Sequence, residues 1–239
     1  MATITAKEIT DFIEDHIGPS FHEKRLKSLE NLRLEQILRR KNPYLYKAKN
    51  INTAGDFVKI LLDAHLSSQE ETIFGGFLEE LAIFICGKVY GGHKSGAEGI
   101  DLEFDRDGIR YIVAIKSGPH WGNSSQIRRM VEDFKKYKKT YKGRVEAING
   151  CCYGRDNQPN KGDYQKLCGQ RFWEFISGIE TLYTDIIQPL GYRAKEKNEA
   201  FASEYAKRLN CFTRDFIHKY CEPDGTIQWE AIVRLASSK

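Results

Sequence analysis

The chain has 239 residues, 41% of them hydrophobic, which suits one large domain or a core with helical elaborations. Its formal net charge of +4 admits a nucleic-acid partner only where the positive charge is clustered. No run of about 18 apolar residues occurs, so no transmembrane helix is expected. The N-terminus, M-A-T-I-T-A-K-E-I-T-D, lacks the apolar region of a signal peptide, and a cytoplasmic, bacterial-type location is expected. Cys86, Cys151, Cys152, Cys168, Cys211 and Cys221 form no C-x-x-C motif. Buried thiols in a reducing compartment are expected, with no disulfide framework and no structural zinc.

Residues 6–41 read as helical. Ile9, Phe12, Ile13 and Ile17 mark one amphipathic helix, which Gly18-Pro19-Ser20 is expected to break. Leu26, Leu29, Leu32 and Leu38 mark a second, ended by Asn42-Pro43. The basic, aromatic stretch K-N-P-Y-L-Y-K-A-K-N reads as a packed linker or a DNA-facing loop. Thr53 is positioned to cap a helix reaching about Leu66. Ser68 and Glu71 have capping-box spacing for another. Phe74, Phe77, Leu78, Leu81, Phe84 and Ile85 form the buried stripe of that second helix. Glu80 borders this stripe, and Glu79 points away from it.

Tyr90 to Gly96 is a flexible, basic approach in which Lys94 is a candidate backbone contact for DNA. A β-hairpin follows. Ile100, Leu102 and Phe104 alternate with Asp101 and Glu103, and Asp105-Arg106-Asp107-Gly108 has turn chemistry. On the second strand Arg110, Ile112, Ala114 and Lys116 share a face. Pairing Asp101 with that face sets a carboxylate beside an ammonium at the strand ends. A hard cation takes oxygen ligands, and a lysine can stabilise charge at a reacting phosphate.

The loop after Lys116 offers Ser117, His120, Asn123, Ser124, Ser125 and Gln126 to phosphates or base edges. One of Asn123, Ser124 and Ser125 caps the next helix. Its apolar stripe is Ile127, Met130, Val131, Phe134 and Tyr137. The opposite face carries Arg128, Arg129, Lys135, Lys136, Lys138 and Lys139. Val145 to Tyr153 reads as a third strand and Gly154 to Gly162 as a polar loop. Phe172, Trp173, Phe175 and Ile176 look like core, Thr181 to Leu190 is helical, and Phe201 to Phe216 lie on a long C-terminal helix.

An Asp, a turn and x-x-Lys on the next strand resemble the PD-(D/E)xK nuclease superfamily. With the E-E-L helix, G-I-D-L-E-F, A-I-K-S-G-P and N-S-S-Q before a basic helix, residues 70–178 resemble a type II restriction endonuclease of that class. Ile100 stands where the motif has Pro, and Ala114 stands where it has an acid. The resemblance implies an α/β (α+β) fold: a restriction-endonuclease-like mixed central sheet flanked by helices. It implies a single nuclease domain over 1–239, with a helical part at 1–69, the catalytic core at 70–178 and a helical part at 179–239. It implies Mg²⁺ as cofactor, double-stranded DNA as substrate and a homodimer, because a palindrome is read by a two-fold symmetric protein. By the same resemblance Asp101, the Ile115 carbonyl and the absent side chain of position 114 are the metal ligands. Lys116 is the catalytic lysine, Glu80 an auxiliary catalytic carboxylate, and the residues from Ser117 to Arg129 named above the DNA contacts.

Ala114 admits two explanations. In the first, the chain is an inactivated variant whose natural residue is Glu, since V-A-I-K-S-G needs one change to complete the motif; this is preferred. In the second, the acid has migrated to a helix residue such as Glu132 or Glu80. The rivals from other classes are a catalytically dead DNA-binding module and a repair or junction nuclease on the same core.

Overall fold

The computed structural model describes residues 3–238. In chain order its helices are α1 (Ala6–Ile17), α2 (Lys24–Glu30), α3 (Leu34–Arg40), α4 (Pro43–Ala48), α5 (Ala54–Tyr90), α6 (Ser124–Thr140), α7 (Gln170–Ser177), α8 (Leu182–Asp185), α9 (Ile187–Leu190), α10 (Ala194–Tyr220) and α11 (Trp229–Ser237). Its strands are β1 (His93–Lys94), β2 (Leu102–Arg106), β3 (Ile109–Lys116), β4 (Val145–Cys151) and β5 (Gln165–Cys168). The chain forms two compact units, one of residues 1–17 and 74–192, the other of 18–73 and 193–239.

The first unit holds one five-stranded sheet in the order β1-β2-β3-β4-β5. β1, β2 and β3 pair antiparallel, and β3, β4 and β5 pair parallel. This is the mixed sheet flanked by helices that the sequence led us to expect. Antiparallel strands need only a tight turn, and Arg106 pairs with Ile109 across the two residues Asp107 and Gly108. Both have positive φ, 54° and 73°, as a type I′ hairpin turn requires. Parallel strands need a crossover, which α6 supplies between β3 and β4. Ile112, Val113, Ala114 and Ile115 are all buried, the continuous run of a central strand covered on both faces. Met130 and Phe134 of α6 pack on Ile112, Ala114 and Ala147.

The second unit is helical. Leu29, Leu38, Phe57, Leu61, Phe212 and Phe216 are buried together. The Phe57 ring meets Tyr46, Phe216 and Trp229 at centroid distances of 5.5, 5.1 and 5.2 Å. Arg25 is held by Glu70 at 3.1 Å and Asn198 at 2.9 Å, beneath the Phe201 ring.

Several expected boundaries moved. Gly18-Pro19-Ser20 widens the backbone into a π-helical stretch, Gly18–Glu23, leading into α2. A widened turn tolerates the donor that Pro19 lacks. Asn42-Pro43 opens α4, with Asn42 accepting from the Tyr44 N–H at 3.0 Å and Pro43 in the first turn. Thr53 does cap α5, accepting from the Asp56 N–H at 3.1 Å. The second start near Ser68 is absent, because Ser68 donates back to the Ala64 carbonyl at 3.1 Å and the helix continues. Thr181 to Leu190 divides into α8 and α9. β1, β5 and α11 had no counterpart in the sequence reading.

Candidate active site

Asp101 precedes β2, and its N–H donates to the Val113 carbonyl at 2.9 Å. Its carboxylate Oδ2 accepts from the Ile115 N–H at 2.6 Å and lies 3.6 Å from the Lys116 ammonium. The two side chains are 24% and 30% exposed, so the pair is fixed by the hairpin and still open to a ligand. The expected juxtaposition of carboxylate and lysine is present. Ile115 contributes its N–H to Asp101.

Around this pair stand groups that the sequence reading did not assign. Asn149, on β4 opposite Ala114, is 1% exposed and donates to the Ala114 carbonyl at 3.2 Å. Its Oδ1 accepts from the Trp121 indole N–H at 3.0 Å. The Lys116 ammonium sits 5.3 Å from the centre of the Trp121 ring. Lys166 of β5 donates to the Pro119 carbonyl at 2.7 Å and anchors the same loop. Trp121 was visible as an aromatic in a polar loop. Nothing local marked Asn149 or Lys166, whose placement depends on parallel pairing with a distant strand.

The helix bordering the site corrects one orientation. Glu80 is exposed, whereas Glu79 is half-buried and pairs with Lys94 at 3.3 Å. The expected stripe omitted Ala82 and Cys86, both fully buried, and these turn the apolar face toward Glu79. One turn before Glu79, Gly75 lets the Ser117 hydroxyl approach so closely that a side chain at 75 would collide with it. Cys152 lies within the field of both Glu79 and Lys116. Burial pushes its thiol up to about 12, and the Glu79 charge adds to this while Lys116 opposes it, so the thiol stays protonated and unreactive.

The loop and α6 carry the remaining candidates. Asn123 caps α6: its Oδ1 accepts from the Gln126 N–H at 3.0 Å, and the Gln126 Oε1 accepts from the Asn123 N–H at 3.0 Å. Those polar ends therefore hold the helix start rather than standing free. His120, Ser124, Ser125 and Arg128 are exposed. Arg129 pairs with Glu98 at 2.6 Å, and Lys135 with Asp163 at 3.0 Å. Ile127, expected in the apolar stripe, is 37% exposed. Glu132 is exposed.

A cavity of about 420 Å³ opens beside the pair, with Ala114, Lys116, Trp121, Gln126 and Asp133 in its wall. Among the described residues no group of three or more His, Cys, Asp or Glu side chains is assembled for a metal ion. Magnesium is ordinarily held by only one or two carboxylates together with substrate phosphates and water. Asp101, whose Oδ1 accepts no hydrogen bond from a described group, fits that donor class.

No helix among the described residues is long and apolar enough to cross a membrane. A search of curated proteins returns no match. The family model of the type II restriction endonuclease EcoO109I matches residues 7–198, most of the chain. With that match added to a mixed sheet carrying Asp101 and Lys116 at one hairpin end, the chain belongs to the type II restriction endonuclease EcoO109I family.

Proposed function

We propose that this DNA endonuclease is Mg²⁺-dependent, of the PD-(D/E)xK class, and cuts double-stranded DNA as a homodimer in the cytoplasm. The observation that carries the reading is the Asp101–Lys116 pair, braced by the Ile115 N–H and open to a ligand. The catalytic core is assigned to 70–178, and the helical parts at 1–69 and 179–239 to the dimer interface. Asp101 and the Ile115 carbonyl would hold Mg²⁺ together with phosphate oxygens, and the bound ion would supply charge neutralisation and activation of water. Asp101 orients that charge. Lys116 places a positive group against the developing negative charge. Trp121 flattens one side of Lys116 and limits its wandering. Glu79, paired with Lys94, takes the auxiliary position meant for Glu80.

Incubation with mixed duplex DNA and Mg²⁺ tests the reading. Discrete bands are expected, with light scattering showing a dimer free or on a palindromic duplex. Structure-selective cutting would mean a junction or repair nuclease, and binding without cutting a dead module. The inactivated-variant explanation of Ala114 requires very slow cutting that Ala114→Glu restores. The migrated-acid explanation requires cutting by the chain as it stands.

The exposed edge of α6 and the loop from His120 to Gln126 are assigned to the DNA backbone. Among the described residues Arg128, Lys136 and Lys139 make no ion pair, unlike Lys135. Each phosphate contact that is lost reduces the slope of log affinity against log salt by about 1. Lys136→Gln combined with Arg128→Gln is therefore expected to flatten the slope by about 2 in a salt titration. An unchanged slope would turn this helix away from the DNA.

A further inference from the structure

We propose that Asp133 supplies the carboxylate that position 114 lacks, so that Asp101 and Asp133 together hold the divalent cation. The inference rests on the metal-dependent reading of the Asp101–Lys116 pair. Asp133 lies on α6 between Met130 and Phe134, which are turned into the core and are 5% and 1% exposed. That docking fixes the direction of its side chain. The carboxylate lies against Gly99, two residues before Asp101, so closely that a methyl group on Gly99 would collide with it. Gly99 has φ of 74°, a backbone state open to glycine, and its bare Cα gives the carboxylate its place.

Asp133 is half-buried, and it makes no hydrogen bond or ion pair with any described residue. Arg129, one turn earlier and its natural helical partner, is taken by Glu98 at 2.6 Å. Asp133 shares the wall of the 420 Å³ cavity with Ala114 and Lys116. Lys116 and Arg129 line the same cavity but neither pairs with Asp133, whose carboxylate is left as an open oxygen donor of the kind a hard cation takes. Ala114 belongs to this arrangement: it lines the same cavity as Asp133, so a Glu at 114 would bring a second carboxylate to that wall. Two carboxylates crowded there would repel each other. Glu132 and Glu80, the helix acids considered from sequence, are both exposed.

The test compares Asp133→Asn, Glu132→Gln and Asp101→Asn. Mn²⁺ affinity is measured by calorimetry on the protein bound to a non-cleavable phosphorothioate duplex, and cleavage separately in Mg²⁺. Asp133→Asn is expected to weaken Mn²⁺ binding about tenfold or more and to slow cleavage in parallel. DNA affinity without metal should hold or tighten, since a negative charge has left. Glu132→Gln should change neither. Wild-type Mn²⁺ affinity in Asp133→Asn, with Asp101→Asn impaired, overturns the assignment of Asp133 alone. Wild-type behaviour in both removes the metal-dependent reading itself. Ala114→Glu combined with Asp133→Asn moves the carboxylate back across the cavity. This double variant should recover the Mn²⁺ binding that Asp133→Asn loses; a loss in Asp133→Asn that the double variant does not relieve overturns the assignment of both positions to one ion site.

Discussion

Lys116→Met is expected to leave duplex binding in place and to slow single-turnover cleavage by about two to three decades. The ammonium stands 3.6 Å from Asp101 and 5.3 Å from the centre of the Trp121 ring, and the proposed mechanism sets it against the developing negative charge. Methionine keeps an unbranched stem of similar length and removes the charge. Asp101 keeps its bond from the Ile115 N–H, so the hairpin should not move. Comparing rates at saturating protein and Mg²⁺ with duplex affinity in the absence of metal separates chemistry from binding. A loss smaller than about tenfold would reduce Lys116 to a phosphate contact.

The second large effect is on stability. Glu103 is 7% exposed on the face of β2 that α6 covers. It accepts from the Ser95 and Tyr137 hydroxyls and from Arg110 at 2.9 Å. Arg110 also grips Asp105 through two bonds of 2.7 Å. Burial pushes the Glu103 carboxyl up, but the bonds from Ser95, Tyr137 and Arg110 outweigh it and hold the group below its ordinary value. Arg110→Met leaves this carboxylate buried without its counter-charge. The expected cost is about 3–5 kcal/mol near neutral pH, read from urea unfolding.

The pH dependence carries a definite sign. In the native chain a depressed Glu103 contributes stability above about pH 4.5, lost as pH falls through its folded value. In Arg110→Met the carboxyl is raised and gains by taking a proton. The gap between variant and wild type should therefore narrow as pH falls from 7 to 4. A loss under about 1 kcal/mol with no pH dependence would mean a solvent-screened pair.

The hairpin was legible because every signal for it is local. Alternation, the Asp107-Gly108 turn and the placement of Asp101 with Lys116 follow from a period of two and one tight turn. The polarity of α6 and a cap among Asn123, Ser124 and Ser125 were equally local, and the structure selects Asn123. What could not be read depends on partners far along the chain. Asn149 and Lys166 reach the site through parallel strands that meet only after the α6 crossover. Glu79 was assigned outward because small residues, Ala82 and Cys86, carry the buried face where large ones were sought. Asp133 borders the apolar stripe of α6, whose buried members Met130 and Phe134 follow from spacing alone. Its approach to Gly99 needs the docked helix. β1 has two residues and β5 four, too short for periodicity to register.

Trp121 gives the molecule a built-in optical gauge. The chain has three tryptophans. Trp173 is 1% exposed, with its indole N–H tied to the Cys152 carbonyl at 2.8 Å, and Trp229 packs on Phe57. Lys47 lies over the Trp229 ring at 5.6 Å, but of the three only Trp121 lines the cavity beside Asp101 and Lys116, with the Lys116 ammonium 5.3 Å from its ring centre. If Lys116 meets the scissile phosphate as proposed, an arriving duplex is expected to draw it off the indole and strip water from the ring edge. Both changes would alter the light it emits, so a shift in tryptophan emission on adding duplex is expected to report occupancy of this cavity without a label and before any bond is broken.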